Sequence, residues 1–311
     1  MLKRSSIIKN RMSLGRSTLA EDILMVMPAV IFFFVFHYLP MFGTILSFKR
    51  YNYTMGIFGS PWCGLENFEF FFTSQDAWRI TRNTVGYAIL FNFLGTVADI
   101  IFALMLYEIS SRKAIKTYQT IMILPHFMSW VIVGYVSYIF LSEDKGVLNN
   151  ILVTLGAEPA KWYSEPKYWP FILSLFHLWK NVGMGIIMYY AALMGIDSSL
   201  YEAATIDGAG KFKQIWSISL PGIVPIIVIR SIMAIGNVFR GDFGLYYQLS
   251  RDIGALYPTT DVIDTYIYRG LTTGDVGITA AVGFFQSFVG LVMVSVTNHI
   301  VNRIDSDLAM F

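Results

Sequence analysis

Six stretches of the chain, 23–48, 84–107, 117–141, 168–194, 222–243 and 277–301, are each long and apolar enough to cross a lipid bilayer. A spanning helix needs about 20 mostly apolar residues, whereas a helix buried in a soluble core needs only about 10–14. The recurrence of six such segments predicts an all-α integral membrane protein. Composition agrees: of 311 residues 55% are hydrophobic and only 14% charged, against about 25% charged in an ordinary soluble domain. A large soluble core would need far more charge on its surface.

The same composition excludes other classes. The formal net charge is +2 with no basic stripe, which leaves nothing to neutralise a phosphate backbone, so no nucleic-acid partner is expected. A single cysteine, Cys63, rules out an intramolecular disulfide framework and a cysteine metal cluster. The four histidines show no metal-ligand spacing.

Orientation follows from the cations. Lys3, Arg4, Lys9, Arg11 and Arg16 precede the first span, and Arg112, Lys113 and Lys116 crowd the short loop 108–116. Positive residues stay inside, so the N-terminus is expected in the cytoplasm, and six spans return the C-terminus there. The first span is too long for a signal peptide, contains Pro28 and Pro40 and has no A-x-A cleavage site, which reads as a retained anchor. The expected organisation is a basic cytoplasmic tail (1–22), one transmembrane domain (23–301) and a short cytoplasmic tail (302–311). Loops 49–83, 142–167 and 244–276 would lie outside. Their Tyr51, Tyr53, Trp62, Trp78, Trp162, Tyr163 and Trp169 suit an interfacial aromatic belt.

The most specified segment is cytoplasmic in this topology. Residues 198–221 read as two short helices around a tight turn. Ser199 and Glu202 fit a capping box. Ala203 and Ala204 favour helix, and Asp207-Gly208 fits a left-handed C-terminal cap. Pro221 is expected to stop the second helix and start the next span. The pattern E-A-A-x3-G-x9-I-x-L-P, carried by Glu202, Ala203, Ala204, Gly208, Ile218, Leu220 and Pro221, resembles the EAA loop of ABC importer permeases. Gly208-Ala209-Gly210-Lys211 is not a phosphate loop, because Thr205 and Phe212 stand where G-x4-G-K-[ST] requires Gly and Ser/Thr.

The resemblance extends to Phe239-Arg240-Gly241-Asp242-Phe243-Gly244-Leu245, to Leu256–Tyr266 and to Arg303-Ile304-Asp305. These are similar to the carbohydrate-uptake branch, and within it to LplB-type permeases for polysaccharide or complex-oligosaccharide uptake. The resemblance implies a type I ABC importer permease fold in a bacterial cytoplasmic membrane. It implies a second permease subunit, identical or related, two ATPase subunits and an extracytoplasmic solute-binding protein. ATP and Mg would sit on the ATPases, with no cofactor on this chain and no enzymatic activity of its own. Glu202, Ala203, Ala204, Asp207 and Gly208 would form the coupling helix that docks on the ATPase.

Ionisable and polar groups within spans are costly and mark pathways or partners. In the fourth span His177, Lys180, Asn181 and Met184 follow helical spacing on one face. His126 and Trp130 lie one turn apart after Pro125, and Asn237 and Arg240 one turn apart in the fifth span. These groups either pair with one another and snorkel, or line a cavity. The resemblance implies the latter, with Trp130 stacking on a pyranose, amides bonding hydroxyls, and Lys180 and Arg240 facing carboxylates. An acidic oligosaccharide would suit such cations, although they alone do not separate it from a peptide, amino-acid or anion cargo. Asp99 and Arg230 would form an interhelical ion pair or meet the partner permease. The competing class, an ion-coupled secondary transporter, would need coupling carboxylates in its spans, and Asp99 is alone there.

Overall fold

The computed structural model describes residues 21–304 of the 311; the basic cluster Lys3–Arg16 and the tail from Asp305 onward lie outside the described residues. Five helices have the length and hydropathy of membrane spans: α1 (Glu21–Phe48), α2 (Gln75–Tyr107), α5 (Pro166–Met194), α7 (Lys211–Gly236) and α10 (Val276–Arg303). A sixth candidate span is the pair of helices α3 (Arg112–Phe127) and α4 (Trp130–Leu141), bent by 94° at the break between them. Between the spans lie the short helices α6 (Ser198–Ile206), α8 (Phe243–Ser250) and α9 (Ile263–Thr273). No β-strand occurs among the described residues, apart from one isolated bridge between Lys49 and Trp62.

Three helix boundaries differ from those expected. α2 starts at Gln75 because the Ser74 hydroxyl accepts the Ala77 N–H and caps it, so its 33 residues extend about 50 Å and project beyond a bilayer core of about 30 Å. α7 runs without a stop through Pro221. The chain widens to a π-turn over Ile215–Ser219, which accommodates the ring and the missing N–H that would break a regular helix. The stretch expected as the loop 244–276 is mostly helical, since Asp242 caps α8 through Leu245 N and Val262–Thr265 initiates α9.

α2 and α5 form the main helix pair. At one end, Ala103 and Leu106 of α2 interlock with Ile186, Tyr189 and Leu193 of α5 and Ile223 of α7. At the other, Tyr87 and Phe91 pack with Val133, Trp169, Leu173, Tyr246 and Leu249. Tyr163 and Trp169, read from sequence as belt residues, belong to this second core. Trp169 is fully buried and donates its indole N–H to Trp162 O at 2.8 Å. By contrast Tyr53, Trp62 and Trp78 are exposed, as a belt requires. Beneath them, Asp261 is fully buried and accepts from Arg79 at 2.9 Å, Arg269 at 2.5 Å and Thr265 at 2.9 Å, tying α9 to α2. α1 has no buried residue in its apolar core window; its last turns, Phe42–Phe48, pack on α10 and on the short helix Glu66–Thr73. The outward Leu, Ile and Phe of the spans are the lipid surface of a membrane chain.

The break between α3 and α4 replaces the straight span expected over 117–141. Pro125 tightens the end of α3 to a 3₁₀ turn, and Met128 and Ser129 are extended. The Ser129 hydroxyl then accepts the Val131 N–H and starts α4. The freed carbonyls have no water to bond in hydrocarbon, and each unsatisfied one is costly. Lys180 answers them from α5. Its ammonium donates to Met128 O at 2.6 Å and His126 O at 2.7 Å, and approaches Pro125 O at 3.5 Å. At Gly183 a Cβ would overlap Met122 O, so α5 lies directly against the end of α3. Lys180→Met is therefore expected to destabilise the solubilised chain by at least about 2 kcal/mol, because the carbonyls lose their donor. The thermal unfolding midpoint measures this, and an unchanged midpoint would contradict the role.

Candidate functional site

Three polar helix faces converge on one cavity of about 350 Å³. α2 contributes Thr84, Asn92, Thr96 and Asp99; α5 contributes His177 and Asn181; α7 contributes Arg230 and, just beyond its end, Asn237 and Arg240. Gly241, Asp242 and Tyr246 form its lip. The α2 set follows helical spacing from Thr84 to Asp99, so the stripe was present in the sequence as isolated polar residues in an apolar span.

His177 stacks on Phe91 with ring centroids 4.0 Å apart. Asn181 Nδ2 donates to His177 O at 3.0 Å, and Asn181 lines the cavity. Asn237 Nδ2 bonds Met233 O at 2.9 Å. Arg240 is exposed at the mouth, with Asp264 as an electrostatic neighbour. Burial raises the Asp264 carboxyl above its ordinary range, opposed by the Gly241 N–H, which donates to it at 2.6 Å.

Of the eight residues predicted to contact substrate, the structure brings His177, Asn181, Asn237 and Arg240 together. The other four do not line the cavity. Lys180 is buried on the carbonyls of the α3–α4 break, and its ammonium sits 5.1 Å over the Trp130 ring. Trp130 is packed against Gly244, where any Cβ would strike the ring, and its Nε1–H donates to Asp242 at 2.7 Å. His126 supplies its main-chain carbonyl to Lys180 and belongs to the break, while Met184 is half-exposed. Lys180 and Trp130 thus act on the cavity indirectly, by fixing α4 and the Asp242 lip. Of the two readings open for Asp99 and Arg230, an interhelical ion pair or a contact with the partner permease, the structure shows the ion pair, at 2.6 Å.

At the far end of α2 and α5 stands α6. Its N-cap is Asp197, not Ser199: the Asp197 carboxylate accepts the Ser199 N–H at 2.9 Å. That bond holds the Asp197 carboxyl below the ordinary range. Asp207 closes the helix, and Gly208 adopts φ +75°, the left-handed value that favours glycine. Ala209 N then reaches back to Ala204 O at 2.8 Å, satisfying an end carbonyl. Glu202 and Ala203 are exposed, and a cleft beside them is lined by Tyr107, Glu108, Tyr201, Glu202, Thr205 and Lys211. Tyr201 OH and Ser219 Oγ are 2.9 Å apart, Gln214 bridges to Thr205, and Lys211 pairs with Glu108 at 2.8 Å. Any push on α6 is therefore passed to the start of α7 and the end of α2. Ile206, Phe212 and Trp216 are strongly exposed around this element.

Comparison with known proteins gives a consistent picture. Protein LplB of Bacillus subtilis (strain 168) is 34% identical over 287 residues, covering 91% of this chain and 89% of the relative. The polygalacturonan/rhamnogalacturonan transport system permease protein YteP of the same organism is 34% identical over 281 residues, covering 90% and 87%. A chain in the crystal structure of a bacterial ABC transporter involved in the import of the acidic polysaccharide alginate superposes with a TM-score of 0.83 at 35% identity, covering 93% of this chain and 99% of that one. A chain of a bacterial alginate ABC transporter in complex with alginate pentasaccharide-bound periplasmic protein matches equally, at TM-score 0.83 and 35% identity, covering 94% and 96%. The family model for the binding-protein-dependent transport system inner membrane component matches residues 21–306, and the chain belongs to that family.

Proposed function

We propose that this chain is a permease subunit of an ATP-driven importer that moves an acidic oligosaccharide delivered by an extracytoplasmic binding protein. The observation that carries the reading is the cavity between α2, α5 and α7, which offers amides and hydroxyls for sugar hydroxyls and a cation, Arg240, at its mouth. The chain's likeness to YteP and to the alginate importer supports the carbohydrate class.

In this reading both termini and α6 face the cytoplasm, and a second permease completes the pathway. Two ATPase subunits carry ATP and Mg; this chain catalyses nothing. Their closure on ATP binding moves the helix bearing Glu202, Ala203, Ala204, Asp207 and Gly208. The Tyr201–Ser219 and Lys211–Glu108 contacts carry that motion into the helices that wall the cavity. The cavity then opens alternately outward and inward around a fixed site. His177, Asn181, Asn237 and Arg240 contact the sugar, and Lys180 and Trp130 hold the wall in place.

Two experiments test this. Proteoliposomes with the complete importer should take up oligouronates with ATP inside and no ion gradient, and Arg240→Gln should lower uptake about tenfold, as expected for loss of one charge-assisted contact. Uptake that follows an ion gradient, or indifference to Arg240→Gln, would count against the assignment. Glu202→Lys and Gly208→Trp should leave the chain in the membrane yet abolish uptake; normal uptake by both would remove α6 as the coupling element.

A further inference from the structure

The ion pair deep in the cavity is built unlike a structural salt bridge. Asp99 is 2% exposed, and Asp99 Oδ2 accepts one N–H from Arg230 Nη1 at 2.6 Å. Its other oxygen, Oδ1, is buried without a hydrogen-bond partner. Arginine offers five donors in a planar fork that matches a carboxylate two to two. Here the contact between the two is a single bond. The Arg230 side chain is 31% exposed and lines the cavity.

The surroundings favour this arrangement. The Arg230 guanidinium lies 5.1 Å over the ring of Tyr189, itself fully buried. On α5 the residue facing Asp99 is Gly185, where any Cβ would overlap the carboxylate. The fold thus clears room for a buried acid that takes up only one of the arginine's five donors. Apolar residues of similar volume would hold α2 to α7 as well or better in hydrocarbon, because two charges must otherwise be desolvated. A charged pair kept at such a place is a site rather than a fastening.

We infer that Arg230 is a second, deeper subsite for the carboxylate of a uronic acid, with Asp99 setting how tightly it holds. This rests on the proposed acidic cargo. A carboxylate that has passed Arg240 at the mouth meets Arg230 further along the same cavity; Arg230 lies in α7 and Arg240 just beyond its end. Asp99 offsets part of the arginine's charge, so the carboxylate is held long enough to be selected and weakly enough to leave. Transport needs that balance, since a site that binds too well does not release. Thr96 and Asn92, on the same wall, are neutral partners for the hydroxyls of that sugar.

The test is equilibrium binding to the assembled, solubilised importer without its binding protein. The probes are a labelled tri-uronate and its methyl ester, which has the same shape without the charge. The wild-type complex should prefer the free acid. Asp99→Asn should raise that preference several-fold, because Arg230 is then no longer offset. The double variant Asp99→Asn/Arg230→Gln, which keeps the contact neutral, should lower it about tenfold, the value of one charge-assisted bond. A purely structural pair would move both probes together. If the wild type prefers the acid and the double variant retains that preference, the inference fails while the acidic-cargo reading stands. If the wild type does not distinguish acid from ester, the acidic-cargo reading itself fails, and the inference with it. Should the double variant not assemble, Asp99→Asn alone decides: an unchanged or lost preference overturns the subsite.

Discussion

Backbone carbonyls released inside a membrane protein must find donors within the protein, and at the α3–α4 break Lys180 is that donor. Much of the functional architecture hangs on this contact. With the carbonyls of His126 and Met128 satisfied, the chain turns by 94° and α4 starts at Trp130. Trp130 is then placed to donate to Asp242, and the Gly244 contact locks the start of α8 against its ring. Asp242 and Gly241 in turn form the cavity lip, which Asp264 and Gln286 brace from α9 and α10. One ammonium on α5 therefore reaches, through four successive contacts, the mouth where Arg240 stands.

The two functional regions lie at different depths of the same helices. α2 carries Asn92, Thr96 and Asp99 in the cavity wall and Tyr107 beside α6, where it meets Tyr201 at 5.8 Å between ring centroids. α7 begins beside α6, the element proposed for coupling, passes through a π-turn and carries Arg230 into the cavity. Movement at α6 has a continuous mechanical route to the cavity through these two rigid elements. The π-turn lies on that route, and Tyr201 grips its last residue, Ser219.

Hydropathy made the spans legible because a bilayer demands about 20 apolar residues whatever the tertiary fold. It did not reveal the first turns of α2, since Gln75–Asn83 are polar and their helix stands beyond the hydrocarbon. Pro125 marked a weak point in the third span, but the angle of the break comes from Lys180, a partner remote in sequence. Pro221 misled in the opposite direction, because a π-turn absorbed it. In α6, Gly208 was legible from its need for positive φ, while the cap moved to Asp197 because short polar residues cluster there and several could serve. Helical spacing put His177 and Asn181 on the face that lines the cavity. It could not show that Lys180, on nearly the same face, carries an arm long enough to reach the neighbouring backbone. Of the α2 stripe only Asp99 was read, by its charge; Thr84, Asn92 and Thr96 were not, because single neutral polar residues a turn or more apart resemble ordinary helix-packing groups.

The central claim is that the polar faces of α2, α5 and α7 bound an aqueous path for the solute. It is tested most directly by thiol accessibility in the assembled importer, starting from a Cys63→Ser background that removes the native thiol. A water-soluble, membrane-impermeant maleimide should label Asn181→Cys and Asn237→Cys, labelling should be slowed by saturating oligosaccharide with its binding protein and ATP, and Trp179→Cys, two residues from Asn181 on the opposite, exposed side of α5, should stay unlabelled. Labelling of Trp179→Cys with none at Asn181→Cys and Asn237→Cys would contradict the account and put the path on another face of the helix.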